Sequence, residues 1–439
     1  MTDALARLTL VEARDAIRRG DLCPVDYVDA LLARIEARDH EVHAFTQLTA
    51  ERARARAKQL RDTRPKVLPP LFGVPYAVKD LLDVEGLPTT CQSRVMPTTP
   101  ATRTARVVEQ LDAAGGILLG KLTLYEFALG GVTFDLPWPP ARNPHNLDYI
   151  AGSSSSGSGA ALAANFVPLT IGTDTGGSIR SPATVNGVVG LKPSYGLVSR
   201  DGVFPLAFSL DTTGPLARTV GDVAAAMRVL APIQGHAVTT PPRIGVVRHL
   251  HERDLVATPD VTVAFDNAVE RLRAAGADIV EIELPSLQKF NAAGWTILFA
   301  EAYAIHRAWL QERPEQYGAQ AREVLLTGAF IDSADYLLAQ QNRVALTASV
   351  ERALGGVDML LTAVSALPPC RIDDRAAIKA LLAASVRMPF NLSGHPALAL
   401  PVRDKSDAGL PLGVQLVGRH GADGELLAAA EWVEHALAV

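Results

Sequence analysis

Cysteine is scarce in this chain. Cys23, Cys91 and Cys370 are spread over 439 positions. None belongs to a C-x-x-C pair, which excludes a disulfide framework and a zinc ribbon. Charge of one sign is lacking too: 42 Lys and Arg stand against 47 Asp and Glu, a net charge of −5, with no long single-sign run. A chain-wide basic footprint is therefore absent, and no nucleic-acid partner is expected. The most apolar central stretch, 160–172, is interrupted by Asn165 and Pro168 and is too short to cross a bilayer. No membrane partner is expected. The start, Met1-Thr2-Asp3-Ala4-Leu5-Ala6-Arg7, has no basic segment leading into an apolar core, so no signal peptide is read and a cytoplasmic setting is expected. Among ten His there is no H-E-x-x-H or other spaced ligand set, so neither metal nor cofactor is expected.

What is present suits a large globular enzyme. A chain of this length buries roughly 75% of its unfolded surface and needs no staple. The N-terminal part reads as helices. Thr9-Leu10-Val11-Glu12 is a capping box, Pro24 suits a first helical position, and Val25, Val28, Leu31, Leu32 and Ile35 form a stripe at helical spacing. Arg52 to Arg61 reads as a solvated helix face. Short apolar strands then alternate with helices: 74–80, helix 104–114, strand 117–120, and later strand 244–247, helix 261–275 and strand 279–282. Residues 285–350 read mostly helical. The alternation predicts an α/β architecture with a mixed or largely parallel sheet.

Several motifs fail on inspection. Gly115-x4-Gly120-Lys121 imitates a phosphate loop, but Leu122 stands where a Ser or Thr should hold magnesium. No G-x-S-x-G elbow occurs, because Ser156 takes the place of the second Gly after Gly152-Ser153-Ser154-Ser155. Ser286-Leu287-Gln288-Lys289 lacks the partner motifs of S-x-x-K chemistry.

One region carries chemistry. The block 152–158, rich in Ser and Gly, runs directly into the apolar stretch 160–172, so it enters a core element and is no linker. Gly172-Thr173-Asp174-Thr175-Gly176-Gly177-Ser178-Ile179-Arg180 follows. Its glycines let backbone N–H groups converge beside a hydroxyl, as an oxyanion hole requires. No His is placed by sequence to activate a serine. Lys79, closing an apolar strand, is a candidate base, because burial and a nearby cation such as Arg180 lower an ammonium pKa.

Taken together these blocks resemble the amidase signature family. Gly73-Val74-Pro75-Tyr76-Ala77-Val78-Lys79-Asp80 is similar to its lysine motif, and 152–158 with 172–180 to its signature. The blocks 187–196, Asp211 to Pro215, Asn391 to Pro396 and 409–419 are similar as well. The likeness runs from about residue 10 to 435 and is weakest over 240–350. It implies a Ser–Ser–Lys triad with Ser178 as nucleophile, Ser154 as bridge and Lys79 as base. It assigns the oxyanion-hole backbone to Thr175, Gly176, Gly177 and Ser178, and supporting roles to Ser155, Asp174 and Arg180. Ser153 stands where the family has Gly joined to the bridging serine by a cis peptide.

The fold implied is a central mixed sheet of about eleven strands surrounded by helices. One amidase domain over 1–439 is expected, with an N-terminal helical segment (1–65), a signature core (66–235) and a variable substrate-pocket region (240–350). Tyr125, Phe127, Phe134, Trp138, Trp295, Tyr303 and Trp309 are candidates for the pocket. The implied activity is hydrolysis of a small-molecule amide, with no cofactor and with a homodimer allowed. The alternative is the amidase subunit of a tRNA-dependent amidotransferase. A silent scaffold and an ATP-binding protein are the remaining rivals.

Overall fold

The computed structural model describes residues 2–235, 238 and 240–438. The strands are β1 (Phe45–Leu48), β2 (Pro75–Lys79), β3 (Ile117–Leu122), β4 (Arg142–Asn143), β5 (Asn146–Ile150), β6 (Leu169–Asp174), β7 (Val189–Lys192), β8 (Thr212–Ala217), β9 (Arg243–Val246), β10 (Asp278–Glu281), β11 (Met359–Ala363), β12 (Ala397–Lys405) and β13 (Pro411–Val417). Eleven of them form one sheet in the order β1-β3-β2-β6-β8-β7-β12-β13-β11-β9-β10, and β4 pairs with β5 apart from it. The sheet is mixed: β2 runs parallel to β3 and β6, β6 antiparallel to β8, and β12 antiparallel to β7 and β13. Helices surround it. The expected mixed sheet of about eleven strands is the one observed.

Local chemistry explains the elements. Thr9 caps the helix Leu10–Arg19 with a reciprocal bond from Glu12, and Gly20 closes it in the left-handed region. Pro24 opens the helix Pro24–Val42. β2 lies in the sheet interior and every one of its five residues is buried, so its side chains need not alternate. The stretch 160–172 covers the end of the helix Ser156–Ala163, a turn over 164–168 and most of β6. The long helices Leu287–Glu312 and Ser333–Leu354 occupy the region read as helical, and Ser286 opens the first of them. The segment that imitated a phosphate loop is a turn feeding β3. Its Lys121 is buried in an ion pair with Asp80 at 2.6 Å.

The sheet topology sets up a site. Lys79 ends β2, and Asp174 ends the parallel neighbour β6. The ladder Ala77↔Thr170, Val78↔Ile171 brings Lys79 level with Gly172 and Thr173. Both strands finish on the same edge, and carboxyl ends of parallel strands are where open α/β sheets gather their ligands.

Close packing at β1 and β3 gives the first test. A Cβ on Gly120 would lie 2.2 Å from the Gln47 carbonyl oxygen and 3.1 Å from Leu48 Cα. Gly120→Ala is expected to cost about 1–3 kcal/mol through overpacking of the β1–β3 pair, measured by urea denaturation.

Candidate active site

Three segments converge at the ends of β2 and β6. Lys79 Nζ donates to Ser154 Oγ at 2.8 Å and to Thr173 Oγ1 at 2.8 Å. Ser154 precedes the helix Ser156–Ala163, and its peptide with Ser153 is cis. Ser155 ties this loop to the sheet: its Oγ donates to the Thr173 carbonyl at 3.2 Å, and its N–H donates to the Ser178 carbonyl at 3.2 Å. Gly172 permits that approach, because a Cβ there would sit 2.9 Å from Ser155 Oγ. Ser178 lies between β6 and the helix Arg180–Asn186.

The lysine is the unusual group. It is fully buried, and burial pushes its ammonium down to about 7, against the opposing pull of Asp174 and Asp211. No carboxylate pairs with it among the described residues. The other buried lysines differ. Lys121 is held by Asp80 and also donates to Thr89 Oγ1. Lys192 is likewise pushed down to about 7 by burial, yet its Nζ donates to the Pro193 carbonyl. Of the three, Lys79 alone bonds to two hydroxyls, one of which opens onto a cavity.

Asp174 and Arg180 organise the loop between them. Arg180 Nη2 lies 3.0 Å from Asp174 Oδ1, and both side chains are fully buried. The same carboxylate accepts from the N–H groups of Gly177 at 2.8 Å and Ile179 at 3.0 Å, and from Asn391 Nδ2 at 2.7 Å. Burial alone would raise the Asp174 pKa; the charge and hydrogen bonds of Arg180 overcome it and hold the carboxyl below its usual range. Arg180 also donates to Gln415 Oε1 at 2.9 Å. Thr175 Oγ1 donates to Asp211 Oδ1 at 2.6 Å, and burial pushes Asp211 up to about 6.

This network refines the expected anion hole. The Gly177 N–H is already given to Asp174, so it is not free for an incoming oxygen. The N–H groups of Thr175, Gly176 and Ser178 have no hydrogen-bond acceptor among the described residues.

Ser154, Gly176 and Ser178 line one cavity of about 360 Å³ with mostly apolar walls. Of the aromatic candidates, Tyr125 and Trp295 line it. Phe127 and Trp309 instead pack with Phe204 and His306, and Phe134 is exposed. Thr173, Asn391, Gln415 and Arg387 are not singled out by sequence reasoning. The blocks containing the first three match the family, but nothing in one chain's spacing shows which members meet. Arg387 also lines the cavity and lies outside every matched block. Among the described residues no group of three or more His, Cys, Asp and Glu side chains is gathered to hold a metal ion, and no helix is long and apolar enough to cross a membrane.

Comparison with known proteins gives a consistent family. A family profile described as Amidase matches residues 26–427. The chain is 35% identical, over 98% of its length and 97% of the relative's, to a glutamyl-tRNA(Gln) amidotransferase subunit of Geobacter metallireducens. A solved chain from work on a vestigial protein complex and the origins of an s-triazine catabolic enzyme is 33% identical, with a TM-score of 0.90 and 98% of each chain covered. A crystal structure of an amidase is 36% identical, with a TM-score of 0.89, covering 98% of this chain and all of that one.

The relative's name corrects one expectation. Balanced charge predicts no nucleic acid and the family resemblance implies a small-molecule substrate; the likeness to a protein named for a glutamyl-tRNA overturns that pairing. The physical reason is that net charge describes one chain. An acceptor nucleic acid can be gripped by other subunits, or by a local patch that whole-chain sums do not register.

The Asp174–Arg180 pair provides a stability test. Removing one partner of a buried pair strands the other charge. Arg180→Met is expected to cost about 3–5 kcal/mol in urea denaturation. Arg375→Ala, which breaks the exposed pair with Glu323, should cost under about 1 kcal/mol.

Proposed function

The chain belongs to the amidase family, and we propose that it is the amide-splitting subunit of an amidotransferase, in which Ser178 takes the acyl group of a carboxamide and releases ammonia for transfer. The observation that carries this reading is the buried, carboxylate-free Lys79 with its Nζ 2.8 Å from Ser154 Oγ, in a loop that shares a cavity with Ser178. The amidotransferase part rests on the relatives, which match over nearly the whole chain and carry that name.

The chemistry follows from the groups present. Neutral Lys79 accepts the Ser154 proton while Ser154 accepts the Ser178 proton. The Ser178 oxygen attacks the carboxamide carbon, and the oxyanion accepts from the Gly176 and Ser178 amides. The relayed proton returns to the nitrogen, the C–N bond breaks and ammonia leaves. Water then attacks the Ser178 ester to give a carboxylic acid and free enzyme. Ser155, Thr173 and the Asp174–Arg180 pair hold these atoms in place.

Ammonia release from carboxamides, glutamine included, tests the scheme, with intact mass reading the acyl adduct. Ser178→Ala should lose about 10⁶-fold, the scale for a removed serine nucleophile. Lys79→Ala should fall to background, and Ser154→Ala should lose about 10²–10⁴-fold. Full activity in Lys79→Ala would remove the lysine from the mechanism. Copurification with partner subunits and Ser178-dependent glutaminase activity are expected of the amidotransferase; a chain that acts alone and shows no glutaminase activity would not be one.

The pH profile follows from Lys79, whose pKa burial pushes down to about 7. Below that value the amine is protonated and cannot accept a proton. Activity should rise as pH passes through about 7 and level off above it; a flat profile from about pH 6 to 9 would contradict a titrating lysine.

A further inference from the structure

A second buried cation borders the cavity. Arg387 is 4% exposed and lines the same space as Ser178. Its Nη1 donates to the Val364 carbonyl at 3.3 Å, and its Nε has no partner among the described residues. No carboxylate forms an ion pair with it among those residues, whereas Arg180, equally buried, is paired with Asp174. Asp174 cannot serve both, since its oxygens already take the Arg180 guanidinium, Asn391 and three backbone amides.

The placement is close to the reacting serine. A Cβ on Gly177 would fall 2.2 Å from Arg387 Nε, so the arginine lies flat against the residue preceding Ser178. Gly177 has φ +113, a conformation that excludes other side chains independently. A buried guanidinium without a counter-ion is costly. Burial pushes its pKa down to about 9, the Arg180 charge pushes the same way and Asp174 opposes; it remains charged at neutral pH. The neighbouring wall is apolar, with Trp295, Leu298 and Leu382, so an anion arriving there meets little competing water and a weakened dielectric.

We propose that Arg387 is a specificity residue that binds a carboxylate carried by the amide substrate, so the site selects amides bearing an anionic group over neutral ones. This deepens the amidase reading of the Ser178 site and rests on it. A planar guanidinium suits a carboxylate; Nε is buried against Gly177, and Nη2, which makes no hydrogen bond among the described residues, is the nitrogen left to meet it.

The test compares three pairs of amides: malonamate, succinamate and glutaramate against malonamide, succinamide and glutaramide. Within a pair only the distal carboxylate changes to a carboxamide. Wild type should prefer the anionic member of at least one pair by about 10–100-fold in kcat/KM, the scale of a charge-assisted hydrogen bond. Arg387→Gln should reduce that ratio to about 1, and Arg387→Lys should retain part of it. Ser385 provides a variant that keeps the arginine: it lines the cavity, and its Oγ accepts from the Arg387 backbone N–H at 3.3 Å. Ser385→Asp should supply an internal carboxylate and likewise abolish the preference. Glutarate should slow fluorophosphonate labelling of wild-type Ser178, and glutaramide should not.

Failure separates cleanly. A labelled, active wild type that treats both members of every pair alike, or variants that keep the wild-type ratio, would overturn the role of Arg387 and leave the Ser178 chemistry standing. A wild type that is neither labelled nor active would overturn the reading of Ser178, and this one with it.

Discussion

A lysine amine held inside a sheet, with hydroxyls and no carboxylate for company, is the constraint on which this site depends. An ammonium there would lack the water that stabilises it and the anion that could replace water. With its pKa pushed down to about 7, the free amine, the form able to accept a proton, is substantially populated near neutrality. The geometry is inexpensive to maintain because β2 is buried along its whole length and delivers Lys79 from its end. Lys121 shows the other outcome in the same protein: Asp80 at 2.6 Å makes it a structural cation.

The loop around Ser178 needs a different device. Asp174 collects three backbone amides, Asn391 and the Arg180 guanidinium within one buried cluster. Each bond fixes one part of the turn, and the N–H groups of Thr175, Gly176 and Ser178 are left without an acceptor among the described residues. The polar network thus decides which donors remain available, a selection the glycines alone do not make. Its reach extends to Gln415 on β13 and Asn391, joining the N-terminal and C-terminal parts of the sheet at the site.

Much of this was legible in one sequence, and for local reasons. The capping box at Thr9 and Glu12, the helix opening at Pro24 and the strand ending at Lys79 are set by neighbours in the chain. The turn into the apolar stretch after 158 marked the serine block as part of the interior. The aromatic candidates were less legible, because hydrophobicity does not distinguish a pocket wall from a core. Trp295 reaches the cavity while Phe127 and Trp309 pack among other rings. Charge was misleading on partners, since a balanced total is silent about what an assembled complex can hold.

The sequence by itself determined the elements and the chemical groups on offer, including a lysine at a strand end and serines flanked by glycines, because those are properties of short segments. Which groups meet was decided by tertiary structure alone. The order of strands brings β2 beside β6, gives Lys121 a carboxylate while denying one to Lys79, and lays Arg387 against Gly177. Burial and counter-charge arise between segments far apart in the chain, and they set whether a buried cation is paired with a carboxylate or left without one.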